Sequence, residues 1–296
     1  MSIHLKKNRK IIITIVLLLL IIFILIIKNT EKSFEKFDSS KYLENLELDL
    51  ELNNDDFNIF FLNHKNLNEK FSLENSVKKE ILPRVAHAGG GFEKKTYTNS
   101  IDALEANKKD FLFFELDFFI TGDNKVVCEH DFSENLENFN KFKKYIAKNL
   151  SFEQCTYLSL KKWLKENPNK IIITDFKNRN IDGLTFISKN FNNYEERFIP
   201  QIYHPKEYNK VKKLGYKNII WTLYRSDKSN EAVLSFASNM NLYAITMSPP
   251  RARSGLAVLL KDKKIKTYVH TINSVKEYFE YVKMYKVDQI YTDWIK

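Results

Sequence analysis

The sequence predicts an α/β protein, a TIM-type (β/α)8 barrel with a β-hairpin insertion after its second strand, preceded by one N-terminal transmembrane helix. Three observations lead to this prediction. From residue 84 onward, short runs of β-branched and aromatic residues alternate with amphipathic stretches. A turn signal, Gly122-Asp123-Asn124, follows the second run, and a long apolar segment precedes the whole pattern. Strands that alternate with helices indicate a parallel sheet, and eight such units fit one closed barrel.

The strand candidates follow one another along the C-terminal two thirds of the chain. They read RVAHAG (84–89), FLFFELDF (111–118), IIITDFK (171–177), RFIPQIY (197–203), NIIWTLY (218–224), LYAITM (242–247), IKTYVHTIN (265–273) and QIYTDW (289–294). The helical segments between them include Ser100–Lys109, Leu158–Glu166, Pro205–Leu214 and Ser274–Tyr285. An open doubly wound sheet is the alternative architecture, but no glycine-rich phosphate loop supports a nucleotide-binding version of it.

The residues after the second strand are predicted to fold back as a hairpin. Because Gly122-Asp123-Asn124 favours a tight turn, Lys125–His130 is expected to return beside that strand. The turn then brings His130 over Glu115 and Asp117.

The apolar segment Ile11–Ile27 has Thr14 as its only polar residue. A helix of this length spans about 25 Å, close to the shortest that crosses a bilayer core of about 30 Å. Basic residues precede the segment, and no small-residue cleavage site follows it. We therefore expect an uncleaved signal anchor, with a cleaved signal peptide as the alternative.

This reading divides the chain into four parts. A basic cytoplasmic tail occupies residues 1–10, the transmembrane signal anchor 11–27, a juxtamembrane spacer 28–80 and the barrel 81–296. The orientation follows from the positive-inside rule. We expect a single-pass protein of the cell (inner) membrane, with the barrel in the periplasm or outside the cell.

Charge and cysteine content exclude other classes of protein. The chain of 296 residues carries a formal charge of +10, yet only seven of its 47 basic residues are arginines. Outside the N-terminus there is no dense basic block with interleaved aromatic residues, so nucleic acid is not expected as a partner. Two cysteines, Cys128 and Cys155, cannot build a disulfide framework, and two buried thiols are favoured over a disulfide between them.

Carboxylates gather at the C-terminal ends of two predicted strands, where barrels of this type place the active site. Residues two apart on a strand share a face, so Glu115 and Asp117 both point into the barrel mouth, as do Asp175 and Lys177. Taken alone, the Glu115-x-Asp117 pair could simply mark the exit of a strand to solvent. Three converging acids repel one another, however, and a hard divalent cation, Ca²⁺ or Mg²⁺, resolves the repulsion.

Two histidines have a distinctive context. His87 is followed by Gly89–Gly91, where the backbone allows close approach of a ligand, and His130 ends the returning hairpin. Two imidazoles that flank a metal-bound phosphate can act as general base and general acid. The other histidines of the barrel region and spacer have no comparable context: His64, His204 and His270.

The same residues occur as an ordered series of short motifs. The series is His87 with its glycines, Thr98-Asn99-Ser100, Glu115-x-Asp117, Thr121 with the turn, His130-Asp131, Asp175-x-Lys177 and Tyr291-Thr292-Asp293. In this order the motifs resemble those of the glycerophosphodiester phosphodiesterases, within the wider set of barrels similar to phosphatidylinositol-specific phospholipase C. The resemblance covers roughly residues 82–295, and the stretches AHAGG, YTNS and HTIN look like a less characterised branch of the family.

The resemblance implies roles for these residues. His87 and His130 match the acid/base pair, and Lys177 matches a basic residue near the phosphate. The metal ligands of the family match Glu115, Asp117 and Asp175. In such enzymes a substrate hydroxyl often attacks phosphorus and gives a cyclic phosphate, which water can open. The further candidates for substrate or phosphate binding are Asn99, Tyr203, Trp221 and Arg225.

The chain also departs from the family pattern. Ala88 stands where the family usually has an arginine, Thr98 where it has a glutamate, and Asp175 where it has a longer carboxylate. Three arginines just after strand ends are candidates for the missing positive charge: Arg225, Arg251 and Arg253. These changes leave the substrate less defined than the metal.

The sequence thus predicts a membrane-anchored, metal-dependent phosphodiesterase, a phosphoric diester hydrolase acting on glycerophosphodiesters or related envelope phosphodiesters. The expected partners are a phosphodiester small molecule or a lipid or glycan head group, and the membrane through the N-terminal helix. Two alternatives stay open. One is a phospholipase C-like lyase whose product is a cyclic phosphate, and the other is a non-catalytic barrel that binds phosphorylated glycan or lipid head groups.

Overall fold

Nine strands form one sheet in the computed structural model, which describes residues 83–131 and 134–296. The strands are β1 (Val85–Ala86), β2 (Phe113–Ile120), β3 (Val126–Cys128), β4 (Ile171–Phe176), β5 (Phe198–Ile202), β6 (Ile220–Thr222), β7 (Ala244–Met247), β8 (Thr267–Val269) and β9 (Gln289–Thr292). All except β3 are parallel, and they close into a ring because β1 pairs with both β2 and β9. The predicted TIM-type barrel is therefore confirmed.

Helices connect the strands in the order expected of such a barrel. They are α1 (Ile101–Asn107), α2 (Phe139–Asn149), α3 (Tyr157–Glu166), α4 (Asn180–Asn190), α5 (Tyr194–Arg197), α6 (Tyr208–Lys213), α7 (Asn230–Ala237), α8 (Pro249–Arg253), α9 (Leu256–Asp262) and α10 (Val275–Lys283). Side-chain caps explain where three of the predicted helices begin. Ser100, Thr156 and Ser274 accept hydrogen bonds from the first turns of α1, α3 and α10.

The strands place apolar and polar side chains in successive layers inside the barrel. Phe113 on β2, Ile173 on β4 and Ile220 on β6 belong to one buried apolar cluster. Because side chains alternate along a strand, the inward residues that follow Phe113 are Glu115 and Asp117. Apolar packing in the lower part of the barrel thus supports polar groups at its C-terminal mouth.

The hairpin insertion is present and carries His130 as predicted. β3 pairs antiparallel with β2, with Phe118 opposite Cys128. Asn124 adopts a positive φ of 60° in the turn, a backbone conformation that asparagine tolerates better than most residues. Beyond β3, the Glu129 amide donates to the Asp117 carbonyl at 3.0 Å, so the chain enters His130 directly beside the carboxylate-bearing end of β2.

The expectation of two buried thiols is wrong, because Cys128 and Cys155 form a disulfide with their Cα atoms 5.1 Å apart. Long-range pairing creates this contact. The hairpin brings β3 beside the segment that precedes α3, where the Cys128 amide donates to the Cys155 carbonyl at 2.9 Å. The spacing of the two cysteines in the sequence does not reveal this pairing.

We expect this disulfide to stabilise the barrel by constraining the unfolded chain. It closes a loop of 27 residues, for which loss of chain entropy corresponds to about 3–4 kcal/mol. The double variant Cys128→Ser with Cys155→Ser should lower the free energy of unfolding in urea by about that amount. An unchanged unfolding midpoint, with and without reductant, would contradict this prediction.

The predicted N-terminal elements lie outside the described residues. This concerns the tail at 1–10, the anchor at 11–27 and the spacer at 28–80. Over residues 83–131 and 134–296, no helix has both the length and the apolar character needed to cross a membrane.

Candidate active site

A cleft of about 200 Å³ opens at the C-terminal ends of the barrel strands. It brings together both predicted catalytic histidines, the three predicted metal ligands and Lys177. The complete lining is His87, Tyr97, Glu115, Asp117, His130, Asp175, Lys177, Gln201, Thr222, Tyr224, Thr246, His270, Thr271 and Tyr291.

The three carboxylates converge in this cleft. Glu115, Asp117 and Asp175 are all buried, and one oxygen of each lies within 4.8 Å of the others. Burial raises the pKa of Glu115 well above its usual value, and the negative charges of Asp117 and Asp175 raise it further. The three carboxylates therefore repel one another, and burial removes the water that would stabilise their negative charge.

Asn99 holds one of these carboxylates in place. Its Nδ2 donates to Asp117 Oδ2 at 2.9 Å, and its Oδ1 accepts the Asp117 backbone amide at 2.9 Å. Asn99 is fully buried, so it orients Asp117 and does not face a substrate. Glu115 is held in a similar way, because the Ala88 amide donates to Glu115 Oε2 at 2.9 Å.

Two tyrosines and a lysine surround Asp175. Burial alone would raise the pKa of Asp175, but the Lys177 ammonium and hydrogen bonds from Tyr203 and Tyr224 outweigh burial and lower it. Tyr203 is itself buried, and its hydroxyl lies within hydrogen-bond distance of Asp175 Oδ1. Tyr203 therefore orients a carboxylate, and Tyr224, which the sequence did not single out, does the same at 2.9 Å.

Lys177 lies between two of the carboxylates. Its Nζ is 2.7 Å from Asp117 Oδ1 and 2.9 Å from Asp175 Oδ2. Burial would lower the pKa of Lys177, but these two carboxylates outweigh burial and raise it, so the side chain is positively charged. One ammonium cannot balance three carboxylates, and clustered carboxylate oxygens are the ligands that Ca²⁺ and Mg²⁺ prefer. The residues therefore fit a hard divalent cation.

His87 is oriented by a carboxylate that follows the last strand. Its Nδ1 lies 2.9 Å from Asp293 Oδ1, and Asp293 Oδ2 accepts a hydrogen bond from Asn273 Nδ2 at 2.7 Å. Because a carboxylate oxygen accepts hydrogen bonds, Nδ1 is the donor in this pair, and Nε2 is the ring nitrogen left to take part in proton transfer. Asp293 lies in the motif Tyr291-Thr292-Asp293, which the sequence analysis singled out. It reaches His87 only because β1 pairs with β9 and closes the barrel.

Tyr97 lies between the two predicted catalytic histidines. Its ring is 4.6 Å from that of His87 and 4.6 Å from that of His130, centroid to centroid. His130 Nδ1 is 2.8 Å from Asp131 Oδ1, so this imidazole also has a neighbouring carboxylate. Tyr97 is in a loop at a positive φ of 55°, and no strand-end pattern marks it in the sequence.

Four other candidates lie elsewhere. Trp221 is fully buried and packs against Phe236 of α7, and its Nε1 donates to the Tyr203 carbonyl at 3.3 Å. Its neighbours on β6 face the barrel interior, so alternation points Trp221 outward. Arg225 is exposed and is not part of the cleft lining, and its guanidinium stacks 4.1 Å from the Tyr203 ring centre. The other two arginines bond elsewhere: Arg251 to the Ser226 and Lys228 carbonyls, and Arg253 to the Tyr281 hydroxyl.

His270, to which the sequence assigned no special context, also lines the cleft. Burial, with a smaller contribution from the nearby His87, lowers the pKa of His270 from its usual 6.5 to about 4. His270 is therefore uncharged near neutral pH. Its ring contacts the rings of Tyr224 and Tyr291, at centroid distances of 6.1 and 6.2 Å.

The buried neutral state of His270 predicts a loss of stability in acid. Because its pKa is lower in the folded chain than the usual 6.5, the unfolded chain binds protons more readily as the pH falls from about 6.5 to about 4. Over that window the free energy of unfolding should decrease by up to about 3 kcal/mol from this group. Urea titrations of the wild type and His270→Gln would check this, and equal pH slopes would contradict it.

Asn99 offers a test of carboxylate positioning. Replacing it by alanine removes both hydrogen bonds to Asp117, so we expect divalent-cation affinity to fall about 10–100-fold, as for other outer-shell partners. Calorimetric titration with Mg²⁺ and Ca²⁺ measures this directly. Asn107→Ala serves as a matched control, because Asn107 is also buried but bonds to backbone carbonyls outside the cleft lining. Equal affinity in wild type and Asn99→Ala would show that Asn99 does not position Asp117 for a cation.

Neither a protein-family model nor a curated protein matches this chain. Several solved structures, however, match it in fold. A glycerophosphodiester phosphodiesterase from Parabacteroides distasonis is 19% identical, with a TM-score of 0.57 over 71% of this chain and 92% of that one. One from Agrobacterium tumefaciens is 12% identical, with a TM-score of 0.52 over 72% and 97%.

A third structure was solved with a bound product. It is a phosphodiesterase from Oleispira antarctica in complex with sn-glycerol-3-phosphate, and it is 12% identical, with a TM-score of 0.52 over 72% of this chain and 94% of that one. These identities establish a shared fold. The resemblance that the motifs implied is thus confirmed in the architecture, and the barrel of this chain is similar in fold to the glycerophosphodiester phosphodiesterases.

Proposed function

We propose that this protein is a divalent-metal-dependent phosphodiesterase that cleaves glycerophosphodiesters or chemically related phosphodiesters. The observation that carries the proposal is the meeting of three carboxylates, one lysine and two histidines in a single cleft. Solved structures of similar fold include enzymes named as glycerophosphodiester phosphodiesterases and a phosphodiesterase in complex with the product sn-glycerol-3-phosphate. The fold similarity and the residue set support the same chemistry.

The cation site in this proposal consists of Glu115, Asp117 and Asp175. A cation held there would polarise the phosphoryl group as a Lewis acid. Lys177, which already lies between Asp117 and Asp175, is placed to contact a phosphoryl oxygen. Its fixed positive charge would stabilise negative charge that develops on phosphate oxygens during the reaction.

The two histidines divide the proton transfers in this proposal. His87 accepts a proton at Nε2 from the attacking hydroxyl or water, because Asp293 holds its Nδ1 in the protonated form. His130 gives a proton to the leaving alkoxide from the opposite side of Tyr97. The attacking group is a hydroxyl of the substrate or a water molecule, and this choice decides whether a cyclic phosphate forms.

We further propose that the barrel works outside the cytoplasm, tethered to the cell membrane by the apolar segment Ile11–Ile27. The basic residues before that segment support this orientation. The disulfide between Cys128 and Cys155 also supports it, because disulfides persist mainly in oxidising compartments. Fusing a reporter enzyme that is active only outside the cytoplasm to the C-terminus tests it, and an inactive fusion of normal abundance would contradict it.

A substrate panel tests the proposed reaction. Purified full-length protein is incubated with glycerophosphocholine, glycerophosphoethanolamine and glycerophosphoglycerol in the presence of Mg²⁺ or Ca²⁺, and phosphorus NMR identifies the products. Release of glycerol phosphate or of a cyclic glycerol phosphate supports the proposal, and the second product assigns the lyase-type course. Binding of these compounds without turnover of any of them would instead support a non-catalytic head-group receptor.

A further inference from the structure

Tyr97 contacts both histidines of the proposed reaction, which assigns no step to Tyr97 itself. Its ring meets that of His87 at an interplanar angle of 85° and that of His130 at 65°, and both centroid distances are 4.6 Å. Edge-to-face contacts of this kind are favourable and have a preferred geometry. One aromatic ring therefore restrains the two imidazoles that exchange protons with the substrate in the proposed reaction.

The two histidines are supported unequally by their carboxylate partners. His87 pairs with Asp293, whose side chain is only 4% exposed. The partner of His130 is Asp131, whose side chain is 88% exposed, and pairs with such exposed carboxylates contribute little to the order of a side chain. His130 therefore depends more than His87 on the ring of Tyr97 for its orientation.

The loop that carries Tyr97 is fastened to the site at both ends. The Gly91 amide donates to the Asp293 carbonyl at 2.7 Å, and the Asn99 amide donates to the Ala88 carbonyl at 3.1 Å. Asp293 pairs with the first of the two histidines, and Ala88 directly follows that histidine in the chain. Tyr97 is thus fixed relative to the first histidine and can support the second.

Tyr97 has a backbone conformation that suits other residues better. Its φ of 55° lies in the left-handed region, which glycine and asparagine adopt more readily than tyrosine. Residues in such conformations persist where the surrounding structure holds them, and they cluster at active sites. A large ring at a position where the backbone favours a small residue points to a role for the ring itself.

We propose that Tyr97 is a positioning residue whose ring orients the His130 imidazole relative to His87, so that acid and base act on the same phosphodiester. This inference rests on the proposed function, which gives the two histidines their roles in proton transfer. The ring carries the effect and the hydroxyl does not, because both contacts are made from ring to ring.

Steady-state kinetics of full-length variants test this role. Tyr97→Asn removes the ring but suits the positive φ, whereas Tyr97→Phe keeps the ring and both of its contacts. We expect Tyr97→Asn to lower kcat about 10–100-fold, because a misplacement of about 1 Å can cost about 10²-fold. KM and divalent-cation affinity should change little, since the ring packs on the histidines, and Tyr97→Phe should retain wild-type kcat.

Lys94→Asn is the matched control in the same loop. Lys94 also has a positive φ, of 63°, but it is exposed and lies outside the cleft lining. The substitution therefore makes the same kind of backbone change away from the histidines, and it should retain wild-type kcat.

NMR spectra of the histidine ring protons test the positioning without relying on turnover. The ring current of Tyr97 shifts the resonances of His87 and His130, so Tyr97→Asn should move both sets. Tyr97→Phe should leave both sets near their wild-type positions. His204, which is exposed and lies outside the cleft lining, should give the same signals in all variants.

Three results would each overturn this role of Tyr97. They are wild-type kcat in Tyr97→Asn, an equal loss of kcat in Tyr97→Phe, and unmoved His87 and His130 resonances in Tyr97→Asn. Tyr97→Gly, which also suits the positive φ, repeats the comparison if Tyr97→Asn does not fold. Absence of turnover in the wild type would instead overturn the proposed function, and the resonances would still decide whether Tyr97 orients the histidines.

Discussion

Replacing His87 by alanine is expected to lower kcat for metal-dependent phosphodiester cleavage by about 10²–10⁴-fold, the contribution of a positioned general acid or base. The reason is geometric. Asp293 holds His87 Nδ1 at 2.9 Å, so the ring presents Nε2 to the cleft for proton transfer. Steady-state kinetics on the best substrate of the panel would measure the change.

Two further variants separate chemistry from folding. Asp293→Asn should also lower kcat, because an amide that donates to Nδ1 favours the wrong tautomer of His87. His204→Ala, at an exposed histidine outside the cleft lining, should retain wild-type turnover. The His87→Ala protein should still bind Mg²⁺ or Ca²⁺. Unchanged kcat in His87→Ala would remove this residue from the mechanism.

The second large effect concerns the carboxylates. Glu115→Gln is expected to weaken divalent-cation binding by more than the roughly 10–100-fold typical of an outer-shell partner, and activity should fall with it. A cation at about 100 times its dissociation constant should stabilise the wild type by about 2.7 kcal/mol, and this gain should disappear in the variant. Thermal unfolding with and without Mg²⁺ or Ca²⁺ would show the difference.

The same variant has a second, less obvious consequence. Without cation, Glu115→Gln should be at least as stable as the wild type, because burial and the negative charges of Asp117 and Asp175 already disfavour ionisation of Glu115. Asp182→Asn makes the same change of charge at an exposed position and should keep the cation-induced gain. A cation-induced gain of wild-type size in Glu115→Gln would exclude Glu115 as a ligand.

The fold followed from local patterns because each strand of the barrel is a short apolar run and several connecting helices start at a polar cap. Alternation along strands also placed Glu115, Asp117, Asp175 and Lys177 in one mouth. The same rule, had it been applied to β6, would have pointed Trp221 outward, since Ile220 joins the apolar cluster inside the barrel and Thr222 lines the cleft.

The remaining site residues depend on contacts between distant parts of the chain. Asp293 reaches His87 only because β9 closes the ring against β1. Tyr97 comes between the two histidines through a loop with positive φ, which no periodic pattern marks. His270 has the sequence context of an ordinary strand-end histidine, and its place in the cleft lining depends on the arrangement of the strands around the barrel.

The central claim is that this cleft cleaves phosphodiesters with the help of a divalent cation held by Glu115, Asp117 and Asp175. The most direct test is the rate of glycerophosphodiester cleavage by chelator-treated protein before and after addition of Mg²⁺ or Ca²⁺. We predict negligible cleavage before addition, full recovery afterwards in the wild type, and no recovery in Glu115→Gln. The same rate in chelator and in added cation, or recovery in Glu115→Gln, would contradict the claim.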